Sequence, residues 1–226
     1  MRPFAYITLI FAPLIAMGIY WYFMNRSDAA FRKLLIKSFI AGALMIVVLA
    51  FFQFLSTILG LNDLRSLKRT LFYSFITIGF TSEFCKFLVL RYIILPKKAV
   101  SKPIHAITFS IMIALGFVTM RLILFFLNPF HTQGLYPYTL YAFISVPASI
   151  MFAVILGFFI GMSKFVKTRF FYSFTGIMVA SFFHGLYNFC LFAPDFKLLS
   201  LFAFGATVIV FLLGMKAAYT EPETLQ

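Results

Sequence analysis

The sequence predicts an all-α polytopic transmembrane bundle of about seven spans, and three observations carry that prediction. Of 226 residues, 63% are hydrophobic and 11% charged, with 34 Phe against 6 acidic residues. A soluble domain carries roughly 25% charged residues, so this chain has too little polar surface to coat a water-exposed domain of its size. Apolar runs recur at spanning length, about 20 residues for the hydrocarbon core of a bilayer. The 19 Lys and Arg gather mostly in short clusters between those runs, where topology signals and contacts with anionic headgroups are written. A disordered chain, a disulfide scaffold (there are 2 Cys) and a domain with a wetted outer face are excluded. No basic patch with base-reading side chains stands out, so nucleic acid is not an expected partner and the lipid bilayer is.

The spans fall at about 4–24, 35–60, 71–95, 105–127, 140–162, 171–193 and 198–216. The first ends without a small-residue cleavage site and reads as a retained helix. The second follows the basic run Arg26, Arg32, Lys33 and Lys37; the third stops before Pro96. Pro103 and Pro129 bracket the fourth, Pro137 precedes the fifth and Pro194 follows the sixth; in connections a missing N–H costs little. The seventh runs to the polar tail 219–226. No transporter-type repeat interrupts the series, so residues 1–226 read as one integral membrane domain.

Loop charge sets the orientation. One set of connections holds Arg26, Arg32, Lys33, Lys37, Lys97, Lys98, Lys102, Lys164, Lys167 and Arg169, with Lys216 near the tail. The other holds Arg2, Arg65, Lys68, Arg69 and Lys197, and the aromatic cluster Tyr136, Tyr138 and Tyr141 suits its interfacial belt. The first set outnumbers the second by roughly two to one, which puts the N-terminus outside and the C-terminus in the cytoplasm.

A few polar residues remain inside the spans. Glu83 lies near the middle of the third, with Lys86 one turn on and Arg91 nearer its cytoplasmic end; Arg121 is in the fourth; His184 and Asn188 are in the sixth. An ionisable residue at a helix centre costs about 2.5–3.5 kcal/mol on insertion scales and survives where it faces the bundle and finds partners. Residues three and four apart share a face, so Glu83 with Lys86, and His184 with Asn188, form polar pairs. Arg121 is expected to pair with Glu83, and Arg91 to snorkel. Each pair alone has a plain reading as packing glue; on three helices together they favour one buried cluster. Cys85 and Cys190 read as packing residues, His105 and His131 lack metal-ligand spacing, and Gly157-x-x-x-Gly161 reads as a close helix contact.

Four stretches carry recognisable motifs in order. Gly79-Phe80-Thr81-Ser82-Glu83-Phe84-Cys85-Lys86 is similar to EExxK, and Gly116-Phe117-Val118-Thr119-Met120-Arg121 to GFxxxE. Val146-Pro147-Ala148-Ser149, running on to Gly157 and Gly161, is similar to VPAH…GxxxG, and His184-Gly185-Leu186-Tyr187-Asn188 to HGxxD/N. Together, over about residues 70–195, they resemble the motifs of the PrsW family of glutamic-type intramembrane proteases, on a plan shared with the CAAX-prenyl-protease and bacteriocin-processing families. The resemblance implies Glu83 as general base, with His184 and Asn188 orienting water or stabilising an oxyanion, and Lys86, Arg121, Ser82 and Ser149 lining the site. It further implies a bacterial inner-membrane location, a single-span membrane substrate such as an anti-sigma factor, and a metal.

Three family positions differ: Ser82 stands for the first Glu, Arg121 for the GFxxxE glutamate and Ser149 for the VPAH histidine. One Glu and one His are too few protein ligands for a metal site, so no cofactor is expected from the residues present. The expectation is therefore a weak or inactive member that acts on or binds membrane-anchored proteins. A non-enzymatic scaffold and a small-solute or ion carrier are the competing readings.

Overall fold

A computed structural model of the chain describes residues 2–62, 64, 66–127, 138–192 and 197–219. Its helices are α1 (Arg2–Met24), α2 (Ala29–Leu44), α3 (Ile46–Ile58), α4 (Leu67–Phe72), α5 (Thr81–Leu88), α6 (Pro103–Leu127), α7 (Tyr138–Met162), α8 (Arg169–Phe192) and α9 (Lys197–Ala218). One π-helical stretch, Tyr73–Phe80, joins α4 to α5 and a second, Val89–Ile94, extends α5, making one rod, Leu67–Ile94. Every expected span is thus helical. Ala29–Ile58, Leu67–Ile94, Pro103–Leu124, Ile144–Met162 and Arg169–Phe192 are long and apolar enough to cross a membrane, and Leu9–Met24 is a shorter apolar helix. Large apolar side chains stand fully outward, among them Trp21, Phe54 and Leu201. The chain is a multi-pass integral membrane protein.

Boundaries differ from the sequence reading in instructive places. The second span begins at Ala29, because Asp28 caps it: its carboxylate accepts the Phe31 N–H at 2.8 Å. Lys33 and Lys37 therefore ride on α2 rather than in a loop. That span also breaks at Met45, between α2 and α3. Lys68 and Arg69 likewise belong to α4, and Lys197 opens α9. Pro147, inside the VPAH-like stretch, lies within α7. His131, Tyr136, Arg65, Pro129, Pro137, Pro194 and most of the tail fall outside the described residues.

The long α6 is the hub, packed along both α2 and α7, while α8 packs on α7 and on the rod Leu67–Ile94. Its buried face holds Ala106, Phe109, Ile113, Leu115, Val118 and Leu122. Gly157 and Gly161 press α7 onto the start of α6: a Cβ on Gly157 would come 2.7 Å from the Ile107 Cα. That is the close helix approach the GxxxG spacing implies, where small residues substitute for a missing hydrophobic drive between helices.

Candidate functional site

Helix α5 is one short α-helical segment set between two π-helical stretches. A π turn inserts an extra residue and rotates everything after it, and such turns recur at functional sites. Here the rotation leaves Thr81, Ser82, Glu83, Cys85 and Lys86 buried on the bundle side, with Phe84 outward. Gly79, in the preceding π stretch, brings α8 against this face. A Cβ on Gly79 would lie 2.8 Å from both the Cα and N of Gly185 and 2.9 Å from the Ser181 carbonyl oxygen. His184 precedes Gly185, so the close crossing delivers the imidazole to the carboxylate.

The result is a sealed ionic cluster. Glu83 is 0% exposed, Lys86 1% and His184 2%. The Lys86 ammonium donates to Glu83 Oε1 at 2.5 Å, and His184 Nδ1 lies 2.6 Å from the same oxygen. Against an ionised carboxylate the shared proton sits on Nδ1, which leaves Nε2 as the imidazole's acceptor. The Phe152 ring of α7 stacks on the imidazole at 4.7 Å between centroids and 18° between planes. Lys86 Nζ also lies 5.8 Å from the centre of the Phe117 ring of α6, a cation–π distance.

A second strand of the network starts one turn along α8. Asn188 is fully buried; its Nδ2 donates to the His184 carbonyl oxygen at 2.9 Å, and its Oδ1 accepts from Arg121 Nη2 at 3.5 Å. The expected Arg121–Glu83 pair is therefore not the one formed. Glu83 is met by Lys86 on its own helix and by His184 across the interface. Arg121 reaches Asn188 instead. Arg91, near the end of the rod, donates from Nη1 to Ser163 Oγ at 2.8 Å.

Of the sequence-derived site residues, Glu83, Lys86, His184, Asn188 and Arg121 thus form one hydrogen-bonded network. Ser82 is buried beside Glu83, and its Oγ has no hydrogen-bond partner among the described residues. Ser149 is buried on α7, one turn before Phe152 and so on the same face. Phe152, Phe117 and the Gly79–Gly185 crossing were not singled out from sequence. The only signal for the crossing was a glycine beside or near each buried polar residue.

The arrangement retains one acceptor of chemical interest. Glu83 Oε2 is buried and has no hydrogen-bond partner among the described residues. A carboxylate oxygen so placed can take a proton from a water brought to it, while Lys86 and Arg121 supply positive charge suited to a developing oxyanion. A metal fits poorly. Zinc wants three protein ligands and an open position, and no group of three or more His, Cys, Asp or Glu converges among the described residues. The two donors present, Glu83 and His184, are bonded to each other, and an ammonium shares the carboxylate oxygen.

Fold and site together define a multi-pass membrane protein with a glutamate–histidine centre enclosed in its helices. The family model of the PrsW family intramembrane metalloproteases matches residues 31–215, and the chain belongs to that family. It is 26% identical to the Protease PrsW of Geobacillus kaustophilus over 193 residues, 85% of this chain and 82% of that protein. It is 27% identical to those of Clostridioides difficile, over 78% of this chain and 75% of that one, and Bacillus subtilis, over 83% of each. No solved structure matches the chain.

Proposed function

We propose that this chain acts on single-span membrane proteins, an anti-sigma factor being the type, chiefly by holding them, and that its own peptide hydrolysis is at most a small fraction of a full peptidase site's. It sits in a bacterial cytoplasmic membrane with its N-terminus outside. One observation supports this reading above others: Glu83 Oε1 is shared by Lys86 and His184 inside a sealed cluster. A general base must reach water and exchange protons. Here one carboxylate oxygen is already committed twice, and the family's three further acid–base positions are Ser82, Arg121 and Ser149. Such hydrolysis as remains runs through Glu83 Oε2, with the bound carbonyl oxygen facing the cations. A carrier would need an opening to each side of the membrane, and the burial of Glu83 and Lys86 speaks against that.

The test is co-expression with tagged single-span reporters, scoring both cleavage and co-purification. Co-purification with little cleavage is expected, and Glu83→Ala should remove that residual cleavage while the folded fraction still co-purifies with the reporter. Robust cleavage that Glu83→Ala abolishes would replace this reading with that of an active peptidase. Reporters neither held nor cut would leave the substrate class wrong.

A further inference from the structure

A second cluster of cations, unused by this chemistry, lies at the end of the bundle where the rod Leu67–Ile94 stops, α7 ends and α8 begins. A groove of about 370 Å³ opens there, lined by Arg91, Leu95, Pro96, Ser163, Lys164 and Arg169. Small-ligand sites begin at roughly 300 Å³. Three of its six lining residues are cations and none is acidic.

Two of those cations are fixed in place by the fold. Ser163 is fully buried and donates to the Ile160 carbonyl at 2.7 Å, and its Oγ accepts from Arg91 Nη1 at 2.8 Å. The guanidinium has five N–H donors, and that is its one hydrogen bond among the described residues. Lys164 Nζ donates to the carbonyl oxygens of Leu95 and Val100 at 2.8 Å each and of Lys97 at 3.3 Å. It thereby ties the turn after the rod to the loop before α8. Arg169 is exposed and has no ion pair among the described residues. Like charges gathered round one groove repel, and an anion resolves that repulsion. Arginine forks suit the oxygens of a phosphate.

We infer that this groove is a phosphate-binding site that takes the headgroup of an anionic phospholipid. The groove lies at helix ends, and Tyr92 beside it is 69% exposed, as tyrosines of an interfacial belt are; Phe170 and Phe171, 74% and 69% exposed, add apolar surface next to Arg169. Basic pockets between helix ends bind anionic headgroups in this manner. Free phosphate shares the chemistry, so the experiment separates the two sources.

The full chain in zwitterionic detergent is titrated by native mass spectrometry with phosphatidylglycerol, phosphatidylcholine and inorganic phosphate. Phosphatidylglycerol should bind at one site in preference to phosphatidylcholine. Its affinity should fall roughly tenfold or more in Arg91→Gln/Arg169→Gln, two charge-assisted contacts being lost. Lys33→Gln/Lys37→Gln, in a separate basic groove with Lys97 and Lys98, should bind it as the natural chain does. Inorganic phosphate bound through Arg91 with no lipid bound at all would keep the phosphate chemistry but overturn the lipid as its source. Undiminished lipid binding by the double arginine variant, equal loss in the lysine variant, or no binding of any probe would overturn the site. If the double variant does not fold, Arg91→Lys decides: it keeps the charge and loses the fork, so a several-fold loss supports the site and no loss overturns it.

Discussion

Gly79 and Gly185 cross with their backbones in direct apposition, a Cβ on the first coming 2.8 Å from the Cα of the second. This crossing sits one turn before Glu83 and next to His184, and it sets the 2.6 Å approach between carboxylate and imidazole. Because the clash would be with backbone, no rotamer change relieves it.

Gly79→Ala should therefore destabilise the protein by roughly 1–3 kcal/mol, the usual cost of overpacking, and loosen the Glu83–His184 contact. Gly185→Ala should act alike, since its Cβ would meet Phe75, including that residue's Cα at 2.8 Å. Gly205→Ala is the control: a Cβ there meets nothing within 4 Å among the described residues. Thermal unfolding in detergent should lower the midpoint for the first two and leave the third near the natural chain.

Glu83 and Lys86 should behave as one unit. Removing either partner of a buried pair leaves an uncompensated charge at a cost of about 3–5 kcal/mol. Glu83→Gln with Lys86→Met should recover much of that loss, so a double-mutant cycle should show strong coupling. The same cycle on Glu83 and Arg121 should show markedly less, because Arg121 bonds Asn188. Equal coupling in the two cycles would contradict the network described.

That contrast marks how far the sequence could be read. Charge inside an apolar helix is expensive, so Glu83, Lys86, Arg121, His184 and Asn188 announce themselves by residue type, and spacing pairs those on one helix. Partners across helices depend on rotation about each axis. Here the π stretches at Tyr73–Phe80 and Val89–Ile94 reset that rotation, and a π turn differs from an α turn by one shifted hydrogen bond with no residue code of its own. Opposite sign alone therefore pointed Arg121 to Glu83. The break at Met45 was equally silent, having neither Gly nor Pro at the break itself, whereas the Asp28 cap was readable in principle.

The proposed orientation, N-terminus outside, rests on the charge of the basic connections. Single cysteines at Asn62 and Ser101, both exposed, should label from opposite sides of the membrane, Asn62→Cys from outside. The native Cys85 and Cys190 are buried and should stay silent. Labelling of both positions from one side would end the proposed orientation.

Ser82→Glu, Arg121→Glu and Ser149→His together restore the family's acid–base set. Ser82 adjoins Glu83 along α5, Ser149 lies one turn before Phe152 on α7, and Arg121 already reaches Asn188 at 3.5 Å. Arg121→Glu matters most, because a guanidinium cannot exchange a proton near neutral pH, and a carboxylate can. A general acid–base group is worth about 10²–10⁴ in rate, and groups acting as a unit do not contribute additively. The triple variant should therefore cleave a co-purifying reporter at least about 10²-fold faster than the natural chain, while Arg121→Glu alone gains far less. Glu83→Ala in the triple background should abolish the gain, since Glu83 Oε2 is the acceptor the scheme relies on. A stable, reporter-binding triple variant with no gain would mean that the burial of Glu83, rather than the three replaced residues, is what limits hydrolysis.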